Sequence, residues 1–149
     1  MGFSFFKKHD NQNEVRDHFK GFHDGFSENQ KKAILLSLFL MANSDGEFHQ
    51  KESEFFIQVS NLLNYKLTRN FMDDISTISR DQLFQFLNSL DESQKDWYIV
   101  TISGMLHVDG RAMEVEYQYM QAYFNKMGIT AERYEAVIKK TNLLMNKFM

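Results

Sequence analysis

Apolar residues recur along most of the chain at spacings of three and four residues, which is the period of one face of an α-helix. The pattern is clearest in residues 34–42, 55–63, 83–90, 99–106 and 119–127. No segment alternates apolar and polar residues as a half-buried strand does. The pattern therefore predicts an all-α fold, and counting the weaker segments gives a bundle of about seven to eight helices.

Three further segments complete the predicted set. They are Asn13 to Phe22, Thr68 to Ile78 and a last helix from Tyr134 toward Phe148. We expect residues 1–26 to form an N-terminal tail that includes the first helix, and residues 27–149 to form the helical domain. A chain of 149 residues is long enough to bury one substantial core.

The sequence resembles itself when it is shifted by 64 residues, which places Asp45-Gly46 over Asp109-Gly110. The same shift aligns residues 27–31 with residues 91–95, and apolar character is kept at many other aligned positions. A repeated helix–AspGly–helix unit explains these matches. Its two copies are predicted to cover about residues 27–63 and 91–127.

Each predicted copy begins with the residues of a helix start. Ser27 is followed three residues later by Gln30, and Asp91 is followed by Gln94, which is the spacing of a capping box. Glycine then follows the first helix of each copy, and we expect it to end that helix because it tolerates a left-handed backbone.

One pattern in the sequence carries chemistry, namely Asp-Gly-x5-Glu. It occurs as Asp45 with Glu52 and again as Asp109 with Glu116. A structural interpretation places each Asp in a tight turn, where its carboxylate accepts a hydrogen bond from a nearby backbone N–H. The same interpretation places each Glu in the first turn of the next helix, where the helix N-terminus stabilises a negative charge.

A metal site is the alternative interpretation of the same residues. The predicted N-caps before the two glutamates are His49 and Met113, so we expect the reciprocal half of a capping box to be missing. If the two copies pack around a pseudo-two-fold axis, the four carboxylates converge and repel one another. A hard divalent cation (Ca, Mg or Mn) would relieve that repulsion, with His49 as an additional ligand. Both interpretations stay open at this point.

The first acidic motif also carries a family resemblance. A Ser-Asp-Gly-x-apolar-x-x-x-Glu segment between amphipathic helices, here residues 44–52 and repeated about 60 residues later, resembles the TerB-like family. The second copy departs from the motif at Val108, Ala112 and Met113. The resemblance implies an eight-helix bundle, an association with tellurite resistance and stress, and a metal site at the acidic positions. It implies no established molecular activity.

Composition excludes several function classes. The chain has no cysteine, so disulfides and thiol nucleophiles are excluded, and its net charge of -3 with scattered basic residues argues against nucleic acid as a partner. No apolar run is long enough to predict a transmembrane segment. The Phe-rich start, Met1 to Lys8, has the wrong order of residues for a secretory signal, so we expect a cytoplasmic protein. Peripheral membrane contact through this N-terminus stays open.

No catalytic set accompanies the acidic motif. Gly-x-Ser-x-Gly and His-Glu-x-x-His are both absent, and Ser103-Gly104 is interpreted as a site of close helix packing. The predicted function is therefore a non-enzymatic interaction module with a protein partner of unknown identity, in a stress or tellurite response. The alternative is a domain that binds or senses a divalent metal ion through its paired Asp and Glu residues.

Overall fold

A computed structural model describes residues 25–68, 70–108, 110 and 113–148, with no account of the side chains after residue 143. This part of the chain contains seven helices and no strand. They are α1 (Glu28–Ala42), α2 (Gln50–Leu62), α3 (Phe71–Ser76), α4 (Arg80–Asn88), α5 (Glu92–His107), α6 (Glu114–Met127) and α7 (Ala131–Phe148). The all-α prediction is confirmed, whereas the predicted helix from Asn13 to Phe22 lies outside the described residues.

Both predicted capping boxes are present. The Gln30 N–H donates to Ser27 Oγ at 3.1 Å, and the Ser27 N–H donates back to Gln30 Oε1 at 2.9 Å. Asp91 and Gln94 exchange the same two bonds at 2.8 and 2.9 Å. These bonds satisfy backbone donors that a helix start otherwise leaves unpaired, so the sequence itself determines where α1 and α5 begin.

The helices α1 and α5 form the centre of the bundle. α1 contacts α2 through α6, and α5 contacts α1, α2, α6 and α7. Residues 33–38 are all buried in succession, as are residues 97–103. The expectation of a single apolar face was therefore too narrow for these two helices, because a helix surrounded by neighbours buries several sides.

The two predicted copies interlock in the bundle. The first helix of each copy contacts the second helix of the other, so α1 packs against α6 and α5 packs against α2. At the centre the Tyr98 hydroxyl donates to Ser37 Oγ at 2.8 Å, which joins α5 to α1 inside the core. The division at residue 27 and the limits of the copies stay predictions.

Several predicted helix ends differ from the structure. α3 and α4 are shorter than the predicted segments, and α4 begins after Ser79, whose hydroxyl accepts the Gln82 N–H. Gly46 and Gly110 have φ values of +89° and +80°, as expected of left-handed backbone, but α1 and α5 end earlier, at Ala42 and His107. The two glycines therefore shape the turn that follows each helix and do not end the helix themselves.

Candidate functional site

The first acidic loop uses Asp45 to hold its own turn. Asp45 Oδ1 accepts the Glu47 N–H at 3.0 Å, and Asp45 Oδ2 lies 3.5 Å from His49 Nε2. The bond from the Glu47 N–H is the main reason that the pKa of Asp45 lies below its ordinary value, and the neighbouring His49 lowers it further. One Asp45 oxygen is therefore already occupied by the backbone of the loop.

The two motif glutamates point into the protein and cap helices. Glu52 is 1% exposed and Glu116 is 2% exposed. Glu52 Oε1 accepts the His49 N–H at 3.1 Å, and Glu116 Oε1 accepts the Met113 N–H at 3.2 Å, at the starts of α2 and α6. The expectation that this half of the capping box is missing was wrong, because its donor is the N-cap backbone, which does not depend on the N-cap side chain.

The described carboxylates do not by themselves assemble a cation site. Within residues 25–68, 70–108, 110 and 113–148, no three His, Asp or Glu side chains come together as metal ligands would. Asp109 lies outside these ranges, so its approach to Asp45, Glu52 or Glu116 is not described. A Ca, Mg or Mn site at these four residues, with His49 as an additional ligand, stays a prediction.

A groove between α1, α4 and α6 is the second candidate. It encloses about 500 Å3. Its apolar lining consists mainly of Leu36 and Leu40 from α1, Leu83 and Phe84 from α4, and Tyr119 and Tyr123 from α6. Leu40 and Tyr119 are each 38% exposed, although large apolar side chains on bundle helices are usually buried. Sequence reasoning missed the groove, because it placed Tyr119 on a core face and expected an exposed apolar patch at the N-terminus or the last helix.

Two features give the groove a polar character at defined points. The Tyr123 side chain is almost fully buried, and its hydroxyl has no hydrogen-bond partner among the described residues. Burial raises the pKa of Tyr123, so the hydroxyl stays protonated at neutral pH. Arg80 also lines the groove, with its Cζ 6.0 Å from the centre of the Phe84 ring, and the Lys126 Nζ lies 5.7 Å from the same ring.

The contact between α5 and α2 is the counterpart of this groove in the other half. A Cβ atom added at Gly104 would lie 2.8 Å from Phe55 Cζ, so the phenyl ring packs directly on the helix backbone. This confirms the interpretation of Gly104 as a site of close packing. Leu40 and Tyr119 stand 64 residues from Gly104 and Phe55, respectively. One arrangement is thus sealed by glycine, and its counterpart, which has leucine there, is open.

Comparison with known proteins finds a family for part of the chain. Residues 4–72 match the family model described as tellurite resistance protein TerB. The chain is TerB-like. The matched segment includes α1, the first acidic loop and α2, and it ends inside α3, which agrees with the closer fit of the first motif to the family pattern. No curated protein and no solved structure matches this TerB-like chain. None of its described helices is long and apolar enough to cross a membrane.

Proposed function

We propose that this TerB-like chain is a non-enzymatic interaction module that binds a protein partner in the groove between α1, α4 and α6. The observation that carries the proposal is the pair of large side chains, Leu40 and Tyr119, left exposed at an apolar groove of about 500 Å3. The family's name suggests the setting, which we propose to be a tellurite or stress response in the cytoplasm.

The energetics of the groove favour binding. Covering an exposed leucine or aromatic side chain contributes up to about 1.5–3 kcal/mol, so two such residues at one site are effective anchors. Tyrosine and arginine are also enriched among the residues that dominate binding energy, and Tyr119 and Arg80 both line the groove. The groove therefore has the chemical composition of a docking surface.

The polar groups of the described structure support a binding role over catalysis. Glu52 and Glu116 accept backbone hydrogen bonds, which is a structural use of carboxylates that could otherwise act as acid and base. In the groove, the raised pKa of Tyr123 makes its hydroxyl a poor general base near neutral pH. The hydroxyl is suited to donating a hydrogen bond.

Site-specific photo-crosslinking tests the proposal with a matched pair of tyrosines on α6. Tyr119 and Tyr117 are 38% and 40% exposed, but Tyr119 lines the groove and Tyr117 does not. Benzoylphenylalanine is placed at either position in cells of the native host, grown with and without tellurite. We expect a discrete crosslinked protein from position 119, little from position 117, and loss of the product when Leu40→Arg is added.

Two results would contradict the proposal. Equal crosslinking from both positions would show that the groove has no special role, and so would an unchanged product in the Leu40→Arg background. Circular dichroism of each purified variant verifies that the helices remain formed. Ile57→Arg is the matched control for Leu40→Arg, because Ile57 is an exposed apolar residue of α2 that does not line the groove.

A further inference from the structure

We propose that the element bound in this groove is an acidic amphipathic helix of the partner, with a carboxylate of that helix paired to Arg80. The inference rests on the proposed function and specifies the chemistry of the partner. It follows from three properties of the groove, which are its helical walls, the charge of its lining and the unsatisfied hydroxyl of Tyr123.

The walls of the groove favour a helix over an extended peptide. α1, α4 and α6 form the groove, and the described part of the chain contains no strand whose edge an extended peptide could join. An extended segment would therefore bring unpaired backbone groups into an apolar surface, which is costly. A helix has already paired its backbone internally and presents apolar side chains at spacings of three and four residues. Leu40 and Tyr119 are positioned to contact such a face.

The charge of the lining favours an acidic partner. Arg80 is the one charged residue among the described residues that line the groove, and Lys126 lies beside the same Phe84 ring. The exposed carboxylates on the same helices, Asp81 and Glu114, are not part of the lining. The groove is thus locally basic on a chain whose net charge is -3, and a carboxylate of the partner complements it.

The Tyr123 hydroxyl supplies the third argument. It is buried beside the groove without a hydrogen-bond partner among the described residues, although buried hydroxyls normally have one. A polar side chain of a bound helix, or a water molecule ordered by that helix, would satisfy it. Occupation of the groove therefore removes an unfavourable feature of the unbound protein.

Selection from a displayed peptide library tests the inference on the full chain. The library contains random peptides of about 16 residues, long enough for a helix of about four turns. Peptides are selected on the wild-type protein and counter-selected on the Leu40→Arg variant. We expect the enriched peptides to repeat apolar residues at helical spacing and to carry an Asp or Glu next to them.

Charge reversal then identifies the role of Arg80. Arg80→Glu should weaken binding of an enriched peptide by about tenfold or more, and a peptide with its acidic residue changed to Lys should regain binding to that variant. Lys139→Glu is the matched control, because Lys139 is an exposed cation of α7 outside the groove, and it should leave affinity unchanged within about twofold.

The outcomes separate this inference from the proposed function. If enriched peptides lack acidic residues or Arg80→Glu leaves their affinity unchanged, the acidic helix is wrong and the groove remains a docking surface. If no peptide survives counter-selection, both proposals are wrong. Binding of decanoate that Arg80→Glu abolishes, with no peptide enriched, would identify a small amphiphile as the ligand and overturn the helix. Leu40→Ser replaces Leu40→Arg if the arginine variant does not fold.

Discussion

The contact between α5 and α2 and the groove between α1 and α6 are made by corresponding helices, yet one is sealed and the other is open. In the sealed contact, Phe55 lies against the backbone of Gly104, where a Cβ atom would lie only 2.8 Å from the ring. In the open one, Leu40 replaces the glycine, and the facing Tyr119 is 38% exposed. The comparison teaches that a change at one position of an internal repeat can convert core packing into accessible surface.

The acidic motif shows the opposite relation between the two halves. Glu52 and Glu116 are both buried and both cap the second helix of their copy through the same backbone bond. The described residues that the two copies share therefore stabilise the fold. The residues in which they differ, Leu40 above all, create the surface to which we assign the function.

The largest expected effect is the loss of the sealed contact in Gly104→Leu, which gives α5 the residue found at the corresponding position of α1. The new side chain cannot fit beside Phe55, so we expect the free energy of unfolding to fall by about 3 kcal/mol in urea denaturation. Leu40→Ala, the matched change in the open half, should cost less than about 1 kcal/mol. Equal losses from the two variants would contradict the distinction between sealed and open contacts.

The next effect concerns the two helix caps. Glu52→Ala or Glu116→Ala leaves a backbone N–H at the start of α2 or α6 without its acceptor, so each should cost about 1–2 kcal/mol of unfolding free energy. Glu→Gln retains an acceptor oxygen and should cost clearly less at both positions. If Gln is as destabilising as Ala, the carboxylates have a role beyond accepting these bonds.

Divalent cations test the metal prediction separately. If Asp45, Glu52, Asp109 and Glu116 hold a cation, millimolar Mg, Ca or Mn raises the melting temperature, and the Asp45→Asn/Asp109→Asn double variant loses that shift. If none of the three ions changes the melting temperature, the metal prediction is wrong. Differential scanning fluorimetry of the two proteins provides the comparison.

A smaller effect on stability is expected at the open groove. Because Leu40 and Tyr119 are exposed, Leu40→Ser and Tyr119→Ser should each change the free energy of unfolding by no more than about 0.5–1 kcal/mol. Both variants should nevertheless weaken peptide or partner binding. A large loss of stability would show that these side chains serve the core, contrary to their assignment as docking residues.

The smallest effect is a pH dependence in the first acidic loop. The folded-state pKa of Asp45 lies below its model value of 3.8, so its contribution to stability is complete above that pH and is lost as pH falls through the lower folded-state value. The melting temperature of wild type should therefore fall more steeply below about pH 4 than that of Asp45→Asn. Parallel curves would show that Asp45 makes no such contribution.

Local features of this chain were predictable and long-range ones were not. The capping boxes at Ser27 and Asp91 depend on residues three positions apart, so sequence alone identifies them. The bonds that Glu52 and Glu116 accept were missed because their donors are backbone groups, which side-chain identity does not reveal.

The groove was missed for a different reason. It depends on the packing of α1, α4 and α6, which are far apart in sequence, and helical periodicity does not show which apolar face stays uncovered. The one available signal was the pairing of Leu40 with Gly104 at the repeat offset, because a leucine and a glycine cannot pack in the same way.

Cysteine labelling tests the central claim, that the groove is open whereas its counterpart is sealed. The chain has no cysteine, so Tyr119→Cys and Phe55→Cys each introduce a single thiol at corresponding positions. Under native conditions we expect a thiol reagent to modify position 119 at least about tenfold faster than position 55, since position 55 becomes accessible only when the structure opens. An enriched peptide should then slow labelling at position 119. Equal labelling rates at the two positions would contradict the account.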